Sequence, residues 1–323
     1  MVDYNTVKLS DGPRGIRAAV SLLKSGDPVA FPTETVYGLG ADACNDRAVA
    51  GIFEAKNRPS FNPLIAHVAN LEIAETIASF SDSARDLAQA FWPGPLTLVL
   101  PRKPDTGLSD LVTAGLDTVA VRIPAHPLAQ ELLNAFGGPL AAPSANPSGR
   151  VSATSADHVL DGLRHRIAAV VDGGQCEVGL ESTIVGFDGD ISVLLRPGGL
   201  PVEAIAACLG QEMQRFKGGD ITAPGQMTSH YSPDAGMRIN ASAPQDDEIW
   251  LGFGPDQTGY RGLNLSVSGD MVEAAANLFS HLRELDALAK TEGGKSIAVA
   301  SIPKTGLGLA INDRLQRAAA PKD

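Results

Sequence analysis

Lys56 and Arg58 stand two residues apart where an amphipathic stretch runs out ahead of Pro59. One cation at a helix exit need do no more than complement the negative end of the helix dipole. Two of them, followed by Asn62 and preceded by the hydroxyl-rich loop Thr33-Glu34-Thr35, point to an anion site, phosphate first. A second polar run, Pro143 to Val159, spaces Ser144, Asn146, Ser148, Ser152 and Thr154 among Pro, Gly and Ala. Turn chemistry alone can account for such residues. This run, however, follows a buried strand and leads into a helix with Thr154 or Ser155 as N-cap. That geometry makes a backbone and hydroxyl cradle for phosphate or ribose. It is not a Walker loop, since G-x-x-x-x-G-K-[ST] is absent, and the G-x-G-x-x-G fingerprint is absent too. Arg196, held at a strand end by Pro197-Gly198-Gly199, reads as a surface charge or as a further cation of the site. His67 lies in the apolar run Leu64–Val68, where a satisfied core imidazole and a ligand-facing one are both open.

The elements that must carry these residues alternate in type. Val29–Phe31 is a short buried strand that breaks at Pro32, and a polar turn with Tyr37 and Gly38 follows. A helix capped by Asn45 or Asp46 buries Val49, Ile52 and Phe53 and ends at Lys56. An earlier helix spans Pro13 to Ser25 and is closed by Gly26. Helices over Leu71–Ser79 and Ser83–Phe91 stop at Trp92-Pro93-Gly94-Pro95. Strands follow at Leu96–Leu100 and Thr118–Ile123, with a loop from Asp105 to Leu116 between them. Arg122 faces away from Val119 and Val121. A helix over Pro127–Phe136 and a short strand from Pro139 to Ala142 come next. Ala168–Val171 is a strand, Ser182–Phe187 and Ile191–Leu195 form a hairpin across Asp188-Gly189-Asp190, and Pro201–Leu209 is a closing helix. Such alternation implies an α/β domain over 1–209 with a mixed, largely buried sheet.

From Gly210 the texture turns polar and irregular, which reads as a linker over 210–235. A featureless linker would not need His230 beside Tyr231; together they can reach back over the first domain's cleft. A small α/β domain over 236–323 follows, with strands at 249–253 and 296–300 and helices at 271–288 and 309–318. It presents no clear catalytic cluster.

Composition narrows the class. At 323 residues, two domains are expected. A formal charge of −11 is a poor match for sequence-independent binding to nucleic acid or to a membrane surface. Three sparse cysteines, without C-x-x-C, imply a reducing cytoplasmic setting rather than a disulfide framework. The N-terminal MVDYNTVKLS lacks an apolar core, so no signal peptide is expected, and no apolar run approaches the length of a membrane span.

In order along the chain stand PTETVYGL (32–39), Lys56-x-Arg58-P-x-x-N-P-L, WPGPLTLVL (92–100), VAVRIP (119–124), APSANPSG (142–149), ESTIV (181–185), LLRPGG (194–199) and SHYSP (229–233). With these motifs the chain resembles the long, two-domain form of the L-threonylcarbamoyladenylate synthase family, whose catalytic module is the YrdC-like fold. The C-terminal part is similar chiefly through GLGLAINDRLQRA (306–318). The resemblance implies an open YrdC-like α/β domain with a twisted mixed sheet, plus a smaller Rossmann-like α/β domain. It implies that L-threonine, bicarbonate and ATP give threonylcarbamoyl-AMP and pyrophosphate, with Mg2+ arriving on ATP and no tightly bound organic cofactor. The product would pass to a tRNA threonylcarbamoyl transferase, with tRNA contacted at most weakly.

Residue by residue, the resemblance places Lys56 and Arg58 on the triphosphate with Asn62 beside them. Ser144, Asn146 and Ser152 would line phosphate and ribose, with Thr118 and Arg196 also on the nucleotide side. Thr35, His67, Arg122 and Ser182 fall on the threonine side, Arg122 facing the carboxylate. His230 and Tyr231 would close over ATP. Two other classes compete: an RNA-binding or ribosome-maturation protein on the same fold, and a related enzyme acting on carbamoyl phosphate or a finished adenylate.

Overall fold

The computed structural model describes residues 3–189, 191–216, 230–255, 259–293 and 295–321. The first part of the chain runs β1 (Val7–Leu9), α1 (Pro13–Lys24), β2 (Val29–Phe31), β3 (Gly38–Asp42), α2 (Asp46–Lys56), β4 (Ile65–His67), α3 (Leu71–Ile77), α4 (Asp82–Phe91), β5 (Leu96–Pro101), α5 (Asp110–Thr113), β6 (Thr118–Arg122), α6 (Pro127–Phe136), β7 (Leu140–Ala141), α7 (Ala156–Leu163), β8 (Ala169–Val171), β9 (Thr183–Asp188), β10 (Ile191–Arg196), α8 (Val202–Leu209) and β11 (Gln214–Arg215). The helices start where the side chains can cap them. Asn45, Asn70, Ser81 and Ser155 each accept a backbone N–H of the first turn, and Pro13 and Pro127 occupy first-turn positions. Asn57 ends α2 in the left-handed region at φ 51°, so the chain turns sharply between Lys56 and Arg58.

The strands form one mixed sheet in the order β1-β8-β2-β3-β7-β4-β6-β5-β9-β10-β11. Alternation in β2 sends Val29 and Phe31 to the face covered by α1 and α6, and Ala30 to the face covered by α2 and α7. In the parallel pair β4–β6, His67 and Arg122 are register partners. The sheet continues to Arg215, past the boundary expected at 209.

Three differences from the sequence reading have clear causes. β3 lies buried in the sheet although it was read as turn. It is Gly-Leu-Gly-Ala-Asp, with no β-branched residue, because the ring of Phe31 occupies the space its side chains would take. A Cβ on Gly40 would lie 2.8 Å from that ring. The loop 105–116 contains the single turn α5, too short for a periodic signal. β1 and β11 are short edge strands, and polar sequence suits such edges.

The second domain carries β12 (Met237–Ala241), β13 (Glu248–Gly252), β14 (Gly262–Asn264), α9 (Met271–Thr291), β15 (Ser296–Ala300) and α10 (Leu307–Ala318). Its strands make a parallel four-stranded sheet in the order β12-β15-β13-β14. α9 buries Ala274, Leu278, Leu282 and Leu285 at helical spacing, and Asp270 caps it. The core of this domain also takes in Val36, Val151 and Leu180 of the first, so the two domains share apolar packing. Of the expected linker, residues 217–229 lie outside the described residues. Among the described residues no helix is long and apolar enough to cross a membrane.

Gly40→Ala should therefore cost about 1–3 kcal/mol through overpacking against Phe31. Gly51→Ala, inside α2 with open space around it, should instead add roughly 0.5–1 kcal/mol. Urea unfolding of both variants checks the contrast.

Candidate active site

The loop after β2 is a buried turn tied by its own hydroxyls. Thr33 Oγ1 donates to the carbonyl of Val36 at 2.6 Å and accepts the N–H groups of Thr35 and Val36 at 3.2 Å each. Thr35 Oγ1 sits 2.8 Å from that hydroxyl. With its backbone so fixed, Glu34 reaches across the sheet. Its Oε1 accepts from Arg122 Nη2 at 2.7 Å, and its Oε2 accepts the N–H of Ala125 at 3.0 Å. Arg122 Nε donates to the carbonyl of Gly94 at 3.3 Å. Beside Arg122, the ring of His67 has Nδ1 3.2 Å from the carbonyl of Ile65. Burial, and then the charge of Arg122, push the His67 pKa down to about 3. The imidazole is therefore neutral throughout the physiological range.

A cationic wall lines the same cleft. Arg58 donates from Nη2 to the carbonyl of Pro63 at 2.9 Å and from Nε to that of Asn62 at 3.3 Å. Arg196, at the end of β10, donates from Nη2 to the carbonyl of Ser182 at 2.8 Å and lies 3.3 Å from its hydroxyl. Thr97 Oγ1 holds that hydroxyl from the other side at 2.7 Å. Burial depresses both guanidinium groups, Arg58 to about 10 with the nearby charge of Arg196 adding to the effect. Lys56 is driven well below its ordinary value by burial and then by Arg58. Two buried guanidinium groups, Arg58 and Arg196, facing one open space make a place that suits an anion.

Lys56 stands behind this wall rather than on it. Its Nζ donates to the carbonyl of Ser144 at 2.6 Å and to that of Asn146. It thus clamps the end of α2 to the serine-rich loop. Asn146 turns its Nδ2 to the carbonyls of Pro147 and Arg150, both at 2.9 Å. Ser152 is also a supporting group, because its hydroxyl donates to Glu181 Oε1 at 2.6 Å. Thr35 and Asn62 are buried in the same layer, one contact away from the open space. The groups that do face it are Arg58, His67, Arg122, Ser144, Ser182 and Arg196, with His230 and Tyr231 above them. Thr118 does not join them. It opens β6, opposite Pro101, while Arg122 closes it, which separates them by about 13 Å at strand rise. It borders a separate depression with Phe80 and Phe216.

The residues missed at the sequence level are Glu34, Glu181 and Arg314. Burial alone would push Glu181 up, but the charges of Arg314 and Arg196 outweigh it and hold the carboxyl below its usual range. Arg314 Nε donates to Glu181 Oε2 at 2.9 Å, from the second domain. That domain therefore does bring charge to the site, contrary to expectation. The available signal was a lone Arg among Ile311, Leu315 and Ala318 on the apolar face of α10. Tyr231 packs on Phe279 with ring centroids 5.5 Å apart, and His230 meets its edge at 4.0 Å. Burial pushes His230 down to about 3. The enclosed space is about 50 Å³.

A mixed α/β sheet whose loops gather cations, hydroxyls and neutral histidines defines an enzyme for anionic substrates that works by positioning and charge. Comparison with known proteins makes this specific. Residues 21–198 match the Sua5/YciO/YrdC family model, described as telomere recombination, and residues 200–320 match that of the threonylcarbamoyl-AMP synthase C-terminal domain. The chain is 43% identical to the threonylcarbamoyl-AMP synthase of Bacillus subtilis, over 97% of this chain and 95% of the relative. It is 42% identical to that of Pyrococcus abyssi, over 94% of each. The crystal structure of P. abyssi Sua5 complexed with L-threonine superposes with a TM-score of 0.87 at 39% identity, covering 97% of both chains. The chain belongs to the threonylcarbamoyl-AMP synthase family, in its two-domain form.

Two outcomes follow from the buried charges. Glu34→Ala leaves Arg122 without its counterion and should cost about 3–5 kcal/mol in urea unfolding. Because His230 titrates near 3 when folded and near 6.5 when unfolded, the unfolded chain binds the extra proton between those values. Stability should thus fall as pH drops through that window, and unfolding at pH 5 should take up about one proton fewer in His230→Phe, measured by the pH slope of stability.

Proposed function

We propose that this chain condenses L-threonine, bicarbonate and ATP into L-threonylcarbamoyl-AMP and pyrophosphate. The observation that carries the reading is a single cleft lined by Arg58, Arg196, Arg122, Ser182 and a neutral His67. Membership of the family supports it across both domains. In this scheme bicarbonate takes up a proton and loses water to give CO2. The threonine amine captures it as a carbamate with release of a proton, and a carbamate oxygen attacks the α-phosphorus of ATP and expels pyrophosphate. No protein nucleophile is required.

Each group of residues suits its half of the reaction. Glu34 and Gly94 hold Arg122 by Nη2 and Nε, which leaves Nη1 to meet the threonine carboxylate. His67 offers a hydrogen bond without a competing charge. Arg58 and Arg196 face the entering triphosphate and stabilise the negative charge that builds on the phosphates. Ser144 presents its hydroxyl to the nucleotide, on a loop that Lys56, Asn146 and Ser152 keep in shape.

Pockets for ligands of this size hold roughly 300–1,000 Å³, against about 50 Å³ here, so the cleft has to widen to admit ATP. Mg2+ would travel on the phosphates. The fit is good, because both oxygens of Glu34 and both of Glu181 are engaged by protein donors. The product is a mixed anhydride, open to hydrolysis, and a transferase that moves the threonylcarbamoyl group onto tRNA adenosine would consume it. With a net charge of −11, direct tRNA contact would be weak. ATP and tRNA both point to the cytoplasm.

Pyrophosphate release by the purified protein, with ATP and Mg2+ present, should require both threonine and bicarbonate and should fail with serine or valine. Release without either would overturn the reading in favour of a nucleotide hydrolase. Arg58→Ala should lower kcat/KM for ATP by about 10²–10³-fold.

A further inference from the structure

Arg314 is fully buried, yet it belongs to the second domain and contacts the first. Its Nε donates to Glu181 and its Nη1 donates to the carbonyl of Pro197 at 2.8 Å and to Asp313 at 2.7 Å. Its guanidinium carbon lies 5.3 Å from the ring centroid of Tyr231. Glu181 and Tyr231 both border the cleft, and Pro197 follows Arg196. Glu181 passes the contact on to Ser152. The helix that carries Arg314 also supports the roof directly, since the N–H of His230 donates to the carbonyl of Arg317 at 3.3 Å.

An apolar side chain would fill this interface at less desolvation cost, since Ile311 and Leu315 already pack there. It would not balance the charge of Glu181, and it would not hold the face of Tyr231. Nη2 is buried without a partner among the described residues, a further cost that packing does not explain. We propose that Arg314 is a positioning residue for the nucleotide half of the site, fixing Ser152 through Glu181 and setting the ring of Tyr231. On this view the second domain completes the cleft of the first rather than merely covering it. The inference rests on the reading of the cleft as an ATP site.

The test uses the full chain and three variants: Arg314→Met, Arg314→Lys and the double variant Arg314→Met/Glu181→Gln. Dissociation constants for Mg2+-ATP and for L-threonine alone are measured by calorimetry, with kcat and KM from pyrophosphate release and folding from urea unfolding. Arg314→Met should weaken ATP by about tenfold to a hundredfold and raise KM for ATP, while threonine stays within roughly threefold. Arg314→Lys, which keeps the charge but not the fork, should fall between. The double variant should recover stability, because it removes the orphaned carboxylate, yet keep the ATP defect. If Arg314→Met does not fold, the double variant decides. A folded variant without Arg314 that binds ATP within about twofold of the parent overturns the proposal. So does a loss of ATP and threonine affinity in equal measure. Failure of the unmodified protein to bind ATP would instead overturn the reading of the cleft itself.

Discussion

The guanidinium of Arg122 lies 2.7 Å from the carboxylate of Glu34, and that of Arg314 lies 2.9 Å from Glu181, with all four groups out of water. Removing charge from water costs several kcal/mol per ion even after relaxation, and only close pairing with further hydrogen bonds offsets it. Both pairs meet that condition, because each carboxylate takes a second donor: the Ala125 N–H for Glu34 and the Ser152 hydroxyl for Glu181. They serve as internally balanced struts. Lys56 and Arg58 are held differently, by backbone carbonyls, which orient a cation but bring no full charge. Burial first, and then repulsion from a neighbouring arginine, depresses both pKa values. Arg58 faces the open space, where a polyphosphate would supply a countercharge.

The sheet is what makes such an arrangement affordable in space. Parallel pairing of β4 and β6 sets His67 against Arg122 without any loop adjustment. The hairpin β9–β10 brings Ser182 and Arg196 to one corner. There Gly198 passes so close to the backbone of Glu181 to Thr183 that a Cβ would lie 2.4 Å from it. Bulk at that position would push Glu181 off both Ser152 and Arg314. The second domain then seals the corner, through apolar contacts to Val36, Val151 and Leu180 and through Arg314.

Much of this was legible in the residues. Capped, periodic helices such as α2, α6 and α9 declared their ends, and the cations and hydroxyls at element termini marked the cleft. What was not legible depended on direction rather than type. Lys56 and Arg58 are two apart, but the left-handed Asn57 between them sends one behind the serine loop and the other into the open space. Thr118 shares a strand with Arg122 and still ends outside the cleft, because the length of β6 separates them. Glu181 and Arg314 are 133 residues apart, and neither local period nor spacing announces such a pair. β3 was hidden because its packing partner, Phe31, holds the bulk that its own glycines lack.

The histidines complete the physical logic. Proton shuttles are tuned to titrate near neutrality, whereas His67 and His230 are both pushed to about 3. A neutral ring in each place adds a hydrogen-bonding edge and no charge. Capture of CO2 by an amine and attack by the resulting carbamate need an unprotonated amine, a fixed carboxylate and a neutralised leaving group. Preset charges can hold the carboxylate and neutralise the leaving group, while the ammonium proton can pass to bicarbonate as it loses water to give CO2. A site of this kind gains more from rigid ion pairs than from a tuned base, which is why its buried Arg122 and Arg314 are each paired with a carboxylate.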